Sequence, residues 1–337
     1  MHQRLDFILR RFAFSLLILI AVLVLNFLLF RIIPGDPVQM LMTPRMTEAT
    51  RERIRQEYGL DKPLWLNFQA YRDSGEFSAL FDAQFVYYAK NLARGELGES
   101  FRQRKPVAEL LKNRIGPSIL LICTAEILSI IIGTFFGLIA AWKRKSFADT
   151  LTMLVSLTAY ALPPFWTGIV LLAFARGHLP MGGLLTPGTI YSSNLEKFQD
   201  IGSHLILPGI TLAMMLLGAY VMIVRNTTLE VLAEDYVLTA KAKGLNPLQV
   251  LKAHGLRNAS LPLVTIIAMD LGFALGGSIQ IETIFSWPGL GSLMFDSIGQ
   301  RDYPVLQAVF LVLAVLVISA NFIADLTYAI LDPRIRS

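Results

Sequence analysis

The sequence is poor in the residues on which most catalytic and metal sites depend. It has one cysteine, Cys123, and four histidines that lie far apart, so neither an internal disulfide nor a cysteine-based zinc site is available. No glycine is followed by lysine, which excludes a phosphate-binding loop ending in Gly-Lys-Ser/Thr. The patterns His-Glu-x-x-His and Gly-x-Ser-x-Gly are missing too. We therefore expect no catalytic residue, no metal and no cofactor on this chain.

Charged residues are also scarce. Asp, Glu, Lys and Arg make up 16% of the chain and hydrophobic residues 54%, whereas soluble domains carry about 25% charged residues. The apolar residues form long uninterrupted runs instead of periodic stripes, which argues against one large soluble core. The net charge is +5, but the basic residues flank apolar runs, which indicates control of membrane topology rather than nucleic-acid binding. The composition predicts an all-α integral membrane protein.

Six apolar runs are each about 20 residues or longer, the length that crosses a hydrocarbon core. We interpret the first run as an uncleaved signal anchor, because no small-residue cleavage site follows it. Pro163 and Pro164 lie inside the third run, where we expect a kink within one span instead of two separate segments. The predicted transmembrane helices cover residues 12–33, 118–142, 148–175, 205–224, 261–285 and 304–331.

The distribution of lysine and arginine predicts the orientation of these spans. With a cytoplasmic N-terminus, the cytoplasmic segments hold most of the basic residues, as the positive-inside rule requires. Both termini are then cytoplasmic, and the long loop after the first helix is extracytoplasmic. The two short outside loops hold only Arg176, Lys197 and Arg301. The cytoplasmic segments hold Arg4, Arg10, Arg11, Lys143, Arg144, Lys145, Arg225, Lys241, Lys243, Lys252, Arg257, Arg334 and Arg336.

This topology divides the chain into four parts. Residues 1–33 form a cytoplasmic N-terminus with the first helix, and residues 34–110 an extracytoplasmic subdomain. Residues 111–328 form a core of five helices that contains a cytoplasmic loop over 230–262, and residues 329–337 a cytoplasmic tail.

Local signals predict further elements in the outside loops. A threonine cap and charges at helical spacing predict a surface helix over residues 47–58. Residues 69–92 are rich in aromatic side chains, which either rest at the lipid interface or contact a substrate. We also predict a short amphipathic helix over residues 107–114 and Gly/Pro-rich turns over 176–204.

The cytoplasmic loop carries signals for two short helices. Asp235 is expected to cap a helix over residues 236–243, with Gly244 as a left-handed stop. Asn246 is expected to cap a second helix that begins at Pro247 and stops at Gly255.

The first of these helices has a mixed surface. Glu234 and Asp235 suit the positive end of the helix dipole. Farther along, the helix presents small apolar residues and basic side chains: Val237, Ala240, Lys241 and Lys243. From these residues alone, an amphipathic connector lying on anionic lipid is the favoured interpretation.

A set of motifs spans nearly the whole chain. In the cytoplasmic loop, Asp235-Tyr-Val-x-Thr-Ala-x-Ala-Lys-Gly244 is followed by His254-x-Leu-Arg-Asn-Ala259 and Pro262. Elsewhere the chain has Pro34-Gly-Asp-Pro37, Tyr58-Gly-Leu-Asp-Lys-Pro-Leu-Trp65, Gly95-Glu-Leu-Gly98, Arg104-Lys-Pro-Val107, Glu282-Thr-Ile-Phe-Ser-Trp-Pro-Gly-Leu-Gly291, Arg301-Asp-Tyr-Pro304 and Leu331-Asp-Pro-Arg-Ile-Arg336. In content and order, these motifs resemble the permease subunits of dipeptide, oligopeptide and nickel ABC importers. Where an older consensus for this loop has Glu-Ala-Ala, this chain has Leu238, Thr239 and Ala240. This difference matches the peptide branch of the family.

The resemblance implies a type I ABC importer permease fold in a prokaryotic plasma membrane. It implies the following partners: a second homologous permease, two cytoplasmic ATPase subunits, an extracytoplasmic substrate-binding protein and membrane lipid, with no nucleic acid. Peptides are the first substrate class, while nickel chelates, opines, glutathione-like molecules and oligosaccharides stay open.

The resemblance also assigns the first loop helix as a coupling helix that docks on an ATPase. The residues assigned to it are Glu234, Asp235, Tyr236, Val237, Ala240, Lys241, Lys243 and Gly244. Its lysines, together with Lys252 and Arg257, pair either with acidic groups of the ATPase or with lipid headgroups.

Acidic residues inside the predicted spans are functional hypotheses by default, because burying a charge in a membrane is costly. Glu126 and Asp270 either line a polar translocation path or pair across helices, while Asp325, near a helix end, is interpreted as structural. Gly272, Gly276 and Gly277 favour close helix packing, within the chain or against a second permease.

The motif after the fifth span is expected to form a rigid turn at the outer mouth, with a gate as the alternative. The residues assigned to this mouth are Glu282, Trp287, Pro288 and Gly289.

Two other classes of protein were compared with this interpretation. A secondary transporter would show paired interrupted helices, but only one predicted span is clearly broken. An intramembrane enzyme would have to rely on Glu126 and Asp270, which have no supporting motif. Neither class explains a well-capped cytoplasmic loop.

Overall fold

The computed structural model describes residues 2–32, 61–251 and 257–331. These residues are mainly helical. The predicted surface helix over 47–58, Gly255 and the C-terminal motif beyond Leu331 lie outside the described residues. The helices are α1 (His2–Ile32), α2 (Phe68–Ser74), α3 (Gln84–Ala93), α4 (Val107–Trp142), α5 (Phe147–Ala161), α6 (Pro164–Ala175), α7 (Asn194–Leu232), α8 (Asp235–Ala242), α9 (Pro247–Val250), α10 (Arg257–Ile284), α11 (Leu290–Gln300) and α12 (Tyr303–Leu331), with a short 3-10 helix at Phe77–Phe81.

Several of these helices are long and apolar enough to cross a membrane. Within the described residues, α1, α4, α7 and α12 satisfy both length and composition, and α5 with α6 makes a fifth span if the pair is taken as one. At the place of the predicted fifth span, α10 forms a helix of 28 residues. The count of six spans stays a prediction.

The third predicted span is broken at its two prolines. Helix α5 ends at Ala161, α6 begins at Pro164, and the two axes meet at 105°. Leu162 and Pro163 have ψ values of 133° and 130°, as expected for residues that precede a proline. Because the second proline also removes a backbone donor, the helix stops and restarts. The expectation of one kinked helix is therefore wrong, because the segment forms two helices; that the two make one span stays a prediction.

Two other helices are longer than predicted. Helix α4 is continuous over 36 residues and absorbs the short helix expected over 107–114, so the boundary at residue 110 lies inside it. Helix α7 has 39 residues and includes the last part of the loop expected over 176–204. Pro117 and Pro208 lie inside these helices, as transmembrane helices tolerate when neighbouring groups satisfy the freed backbone.

The described chain falls into two compact units. The first comprises residues 1–17, 114–295 and 315–337, and its centre is the packing of α7 against α4, α5 and α10. Helix α7 approaches α4 so closely that a Cβ added at Gly133 would lie 2.4 Å from the Cβ of Tyr220. The Ser129 hydroxyl donates a hydrogen bond to the Ala213 carbonyl, 3.0 Å away. Small residues on α4 thus bring the buried faces of these helices together.

The predicted glycine packing is found in this unit at two of three positions. A Cβ at Gly277 would lie 2.6 Å from the Met215 side chain, and one at Gly272 would lie 3.5 Å from Val317. Gly276 has no described atom within 4 Å of such a Cβ. Gly277 and Gly272 therefore serve contacts within the chain.

The second unit comprises residues 18–113 and 296–314. Phe27 of α1 is fully buried, and the rings of Trp65, Phe85 and Tyr88 lie 5.3–5.6 Å from it. Part of the aromatic stretch predicted over 69–92 thus forms a small core on α1. Other aromatic side chains of that stretch are 38–67% exposed: Tyr71, Phe77, Phe81 and Tyr87.

Asp302 joins two distant segments of this second unit. Its carboxylate accepts hydrogen bonds from the Ser100 hydroxyl and from the backbone N–H groups of Phe101 and Arg102, the latter two at 3.1 and 3.3 Å. Asp302 is 2% exposed, so these donors compensate for its burial. This contact joins the motif that begins at Arg301 to the segment that lies between the motifs at residues 95–98 and 104–107.

Candidate functional site

The loop after α7 folds into two short helices on a small apolar core of its own. Val237 of α8 is fully buried and packs with Val231 at the end of α7 and Val250 at the end of α9. Leu232 and Leu245 cover the edge of this group. The three valines hold α8 against the end of α7, so a force applied to α8 reaches that long helix.

Two of the predicted caps are found at the ends of these helices, at Gly244 and at Asn246. Gly244 has φ +87°, the left-handed conformation expected of a glycine stop, and the Leu245 N–H bonds the Ala240 carbonyl at 3.3 Å, as in a Schellman motif. Asn246 and Gln249 exchange side-chain to backbone hydrogen bonds of 2.9 Å, which form a capping box. Asp235 was expected to precede the helix but is its first residue, a shift within ordinary boundary variation.

The residues assigned to coupling divide between two faces of α8. Glu234, Asp235, Lys243 and Gly244 are exposed, and so is Tyr236. In contrast, Val237 and Ala240 are 0% and 8% exposed. The prediction that the helix presents these two as a small apolar surface is corrected, because burying Val237 in the valine core is more favourable than exposing it. Lys241 lies within α8.

An ion pair that the sequence analysis missed lies near this loop. The Arg225 guanidinium of α7 donates two hydrogen bonds to the Asp149 carboxylate of α5, at 2.7 and 2.9 Å. The Lys145 N–H adds a third, at 2.9 Å. The Asp149 side chain is 7% exposed, and such a bidentate pair has a fixed geometry. It ties the start of α5 to the last part of α7.

The residues predicted at the outer mouth form a buried node around Glu282, here called the Glu282 node. The Glu282 carboxylate accepts hydrogen bonds from the Ser118 hydroxyl at 2.6 Å and from the Ser292 N–H at 2.9 Å. The Ser118 oxygen accepts from the Leu290 N–H at 2.7 Å. Glu282 and Leu290 are fully buried. The node therefore fastens the end of α10 and the start of α11 to α4.

The turn between α10 and α11 fits closely over this carboxylate. A Cβ at Gly289 would lie 2.4 Å from the Glu282 carboxyl carbon, so any side chain at this position would have to displace that carboxyl group. The Trp287 N–H bonds the Glu282 carbonyl at 2.8 Å, and the Trp287 indole N–H bonds the Pro117 carbonyl at 2.9 Å. Pro288 lies between these two residues and is partly buried. A closely packed turn is found at this place, and its position at an outer mouth stays a prediction.

The two acids predicted inside the spans are also brought together. Glu126 of α4 accepts a hydrogen bond from the Tyr220 hydroxyl of α7, and Asp270 of α10 interacts electrostatically with both. Glu126 is 5% exposed and Tyr220 is fully buried. We call these three residues the acid cluster. Tyr220, its central member, was not identified from the sequence.

A cluster of polar groups precedes the buried part of α7. The Asp200 carboxylate accepts hydrogen bonds from Thr186 and from the Tyr191 hydroxyl, at 2.7 and 2.6 Å. This bond to a carboxylate raises the pKa of Tyr191 above its ordinary value. Among the described residues, no group of three His, Cys, Asp or Glu side chains has a metal-binding arrangement.

Comparison with known proteins identifies the family. Residues 133–337 match the model of the binding-protein-dependent transport system inner membrane component, and residues 4–122 match the model of the N-terminal region of the same membrane components. The chain belongs to this family. It is therefore a membrane-spanning permease subunit of an ABC importer, and a multi-pass inner membrane protein.

Relatives of this permease match over almost their whole length. It is 37% identical to the oligopeptide transport system permease protein AppB of Bacillus subtilis over 333 residues, 98% of each chain. It is 38% identical to the di/tripeptide permease DppB of Pseudomonas aeruginosa and 36% identical to the dipeptide permease DppB of Escherichia coli, each over 98% of this chain and 99% of the relative.

A solved structure supports the fold of the permease. A chain of the MetNI methionine ABC transporter superposes with a TM-score of 0.55 at 17% identity, covering 66% of this chain and 96% of that one. The predicted type I importer permease fold is confirmed.

Proposed function

We propose that this permease, with a second homologous permease, forms the translocation pathway for peptides or similar small solutes. An extracytoplasmic binding protein delivers the solute, and two cytoplasmic ATPase subunits drive transport. The peptide class rests on the relatives, which are oligopeptide and dipeptide permeases. The absence of any Gly-Lys dipeptide supports assigning ATP hydrolysis to the partners and no catalysis to this chain.

The observation that carries the proposal is the capped helix α8, held on its own valine core at the end of a 39-residue helix. Its exposed residues include acidic, aromatic and basic side chains: Glu234, Asp235, Tyr236 and Lys243. We assign this face to a groove on the ATPase. Val237 and Ala240 act from the buried side by holding α8 to α7.

The path of force follows from the contacts. When the ATPase moves α8, the valine core passes the motion to α7, and the Arg225–Asp149 pair passes it to the start of α5. Helix α7 also packs against α10 and α4. A rigid docking element on a long helix is the expected means of changing the exposure of a pathway.

We place the loop that contains α8 and α9 on the cytoplasmic side, and the rest of the proposed topology follows from this placement. Both termini are then cytoplasmic, and the Glu282 node with Trp287, Pro288 and Gly289 lies at the extracytoplasmic end of α10. A node with this many hydrogen bonds suits a fixed rim of the outer mouth better than a moving gate.

Photo-crosslinking from single cysteines tests the docking of α8. Cys123 is the only cysteine, so Cys123→Ser gives a background for Thr239→Cys, an exposed position of α8, labelled with benzophenone maleimide in native membranes. We expect a crosslink to an ATPase subunit that persists when ATP closes the ATPase dimer, because α8 must stay docked in order to be moved. The matched control is Arg144→Cys, exposed in the turn between α4 and α5.

Crosslinking of the Thr239 probe to lipid alone would contradict docking and favour the amphipathic connector. The substrate class is tested separately, by ATP-dependent uptake of labelled di- and oligopeptides into proteoliposomes that contain the complete importer and its binding protein. Uptake of a nickel chelate with no competition from peptides would replace the peptide assignment.

A further inference from the structure

The acid cluster contains polar atoms that the described part of the chain leaves without partners. Glu126 Oε2 and Asp270 Oδ2 are both buried and have no hydrogen-bond partner among the described residues. The other oxygen of Glu126 accepts from Tyr220. Glu126 is 95% buried, because its exposed fraction is 5%. A buried, ionised carboxylate oxygen without a donor is strongly unfavourable, so the cluster needs a partner that these side chains do not supply.

No basic side chain of the same helix segments can supply it. The sequence has no Lys, Arg or His between Arg114 and Lys143 on α4, between His204 and Arg225 on α7, or between Arg257 and the end of α10. The titratable groups that face the cluster from the packed helices are Cys123 and Glu126 of α4, Tyr220 of α7, Asp270 of α10 and, against Gly218 of α7, the half-exposed Tyr160 of α5.

None of these groups is a cation. Two carboxylates in one apolar site repel each other, and at least one of them gains by becoming neutral. Asp149 shows the contrast within the same unit, because its carboxylate is balanced by the Arg225 guanidinium at 2.7 Å.

We propose that the acid cluster is a binding site for one exchangeable proton, held as a neutral carboxylic acid on Glu126 or Asp270. A proton fits this cluster better than a metal cation, because among the described residues no group of three His, Cys, Asp or Glu side chains has a metal-binding arrangement. The Tyr220 hydroxyl donates to Glu126 and fixes the orientation of that carboxyl group. This site goes beyond the proposed transport function and does not depend on which solute is carried.

Protonation controls how α4, α7 and α10 pack. When the proton leaves, two like charges lie between three helices, one of which continues into α8. At neutral pH the acids of the unfolded chain are already ionised, whereas the folded cluster keeps its proton, so raising the pH until the cluster loses that proton destabilises the folded state. Proton loss therefore weakens the same helix contacts that transmit motion from the loop.

The test measures the thermal unfolding of the importer complex in lipid nanodiscs across a pH series from mildly acidic to alkaline. We expect the wild type to lose stability as the pH rises. Glu126→Gln and Asp270→Asn keep the shape of the side chain but remove the exchangeable proton, so we expect a flatter profile from at least one of them. Glu230→Gln, at an exposed position of α7, is the matched control and should follow the wild type.

Labelling of the wild type by dicyclohexylcarbodiimide gives a readout that needs no variant. This apolar reagent modifies protonated carboxyl groups, so an adduct on Glu126 or Asp270 that declines as the pH rises supports the site, and Asp149 should stay unmodified. Superimposable stability profiles of the wild type and both variants would overturn the proposal. So would an adduct that sodium or potassium suppresses at fixed pH, because that result indicates a metal cation. Neither readout requires solute, and the labelling does not require ATPase docking, so failure here is distinguishable from failure of the transport proposal.

Discussion

Glu282 and Glu126 are both buried glutamates of the first unit, and their surroundings are opposite. The Glu282 carboxylate has a donor on each oxygen, from Ser118 and from the Ser292 N–H. Glu126 has one donor, the Tyr220 hydroxyl, and its second oxygen has no partner among the described residues. The two glutamates therefore have different roles, although both are buried residues of the same type.

The comparison teaches that burial of an acid does not by itself indicate a functional group in a membrane protein. A satisfied carboxylate acts as a fastener between helices, as at Glu282, or as half of an ion pair, as at Asp149. An unsatisfied one implies a ligand or an exchangeable proton. Three predictions test this distinction, in order of decreasing effect.

The largest effect is expected from Glu282→Ala. The substitution removes the acceptor for Ser118 and for the Ser292 N–H, and leaves these donors buried beside a small cavity. Each unsatisfied buried group costs about 1–3 kcal/mol, so we expect a loss of about 3–5 kcal/mol in the free energy of unfolding. Unfolding of the purified complex in mixed detergent micelles measures this loss. A loss no larger than that of Glu230→Ala, at an exposed position of α7, would contradict the node.

The second effect is expected from Gly289→Ala. The added Cβ would lie 2.4 Å from the Glu282 carboxyl group, and the resulting displacement should cost about 2–3 kcal/mol. Gly202→Ala is the control, because the helical Gly202 has no described atom within 4 Å of an added Cβ; it should be neutral or slightly stabilising.

A double-mutant cycle identifies the clash at Gly289. In a Glu282→Ala background the added methyl group no longer meets a carboxylate, so Gly289→Ala should cost much less there than in the wild type. The same cost in both backgrounds would show that the clash involves another atom, such as the backbone of the turn.

The sequence predicted best what depends on neighbouring residues. The left-handed Gly244 and the Asn246 cap were both expected from local motifs, and both are found. The long apolar runs predicted helices, because twenty apolar residues in succession have few other stable structures in a membrane. Family motifs predicted the fold as well, because each motif is a short run of neighbouring residues at a fixed place along the chain.

Contacts between distant segments were not predictable from one sequence. Ser118 and Glu282 are separated by 164 positions, and Glu126 and Tyr220 by 94. Nothing in the local pattern around Tyr220 distinguishes it from an interfacial tyrosine. Val237 was assigned to the outer face of α8 because the small core formed with Val231 and Val250 depends on how two helices fold back on each other.

The smallest effects come from a matched pair of substitutions, each of which removes one hydroxyl group beside a buried glutamate. The Ser118 hydroxyl makes two hydrogen bonds, to Glu282 at 2.6 Å and from the Leu290 N–H at 2.7 Å, so Ser118→Ala should cost about 2 kcal/mol. Tyr220→Phe removes the single hydrogen bond to Glu126, and a neutral carboxylic acid loses little by it, so we expect about 1 kcal/mol or less. Both are measured by unfolding at neutral pH. If Tyr220→Phe costs as much as Ser118→Ala, Glu126 is ionised and depends on that donor. The contrast between the two glutamates then fails, and only Asp270 is left to hold the proton.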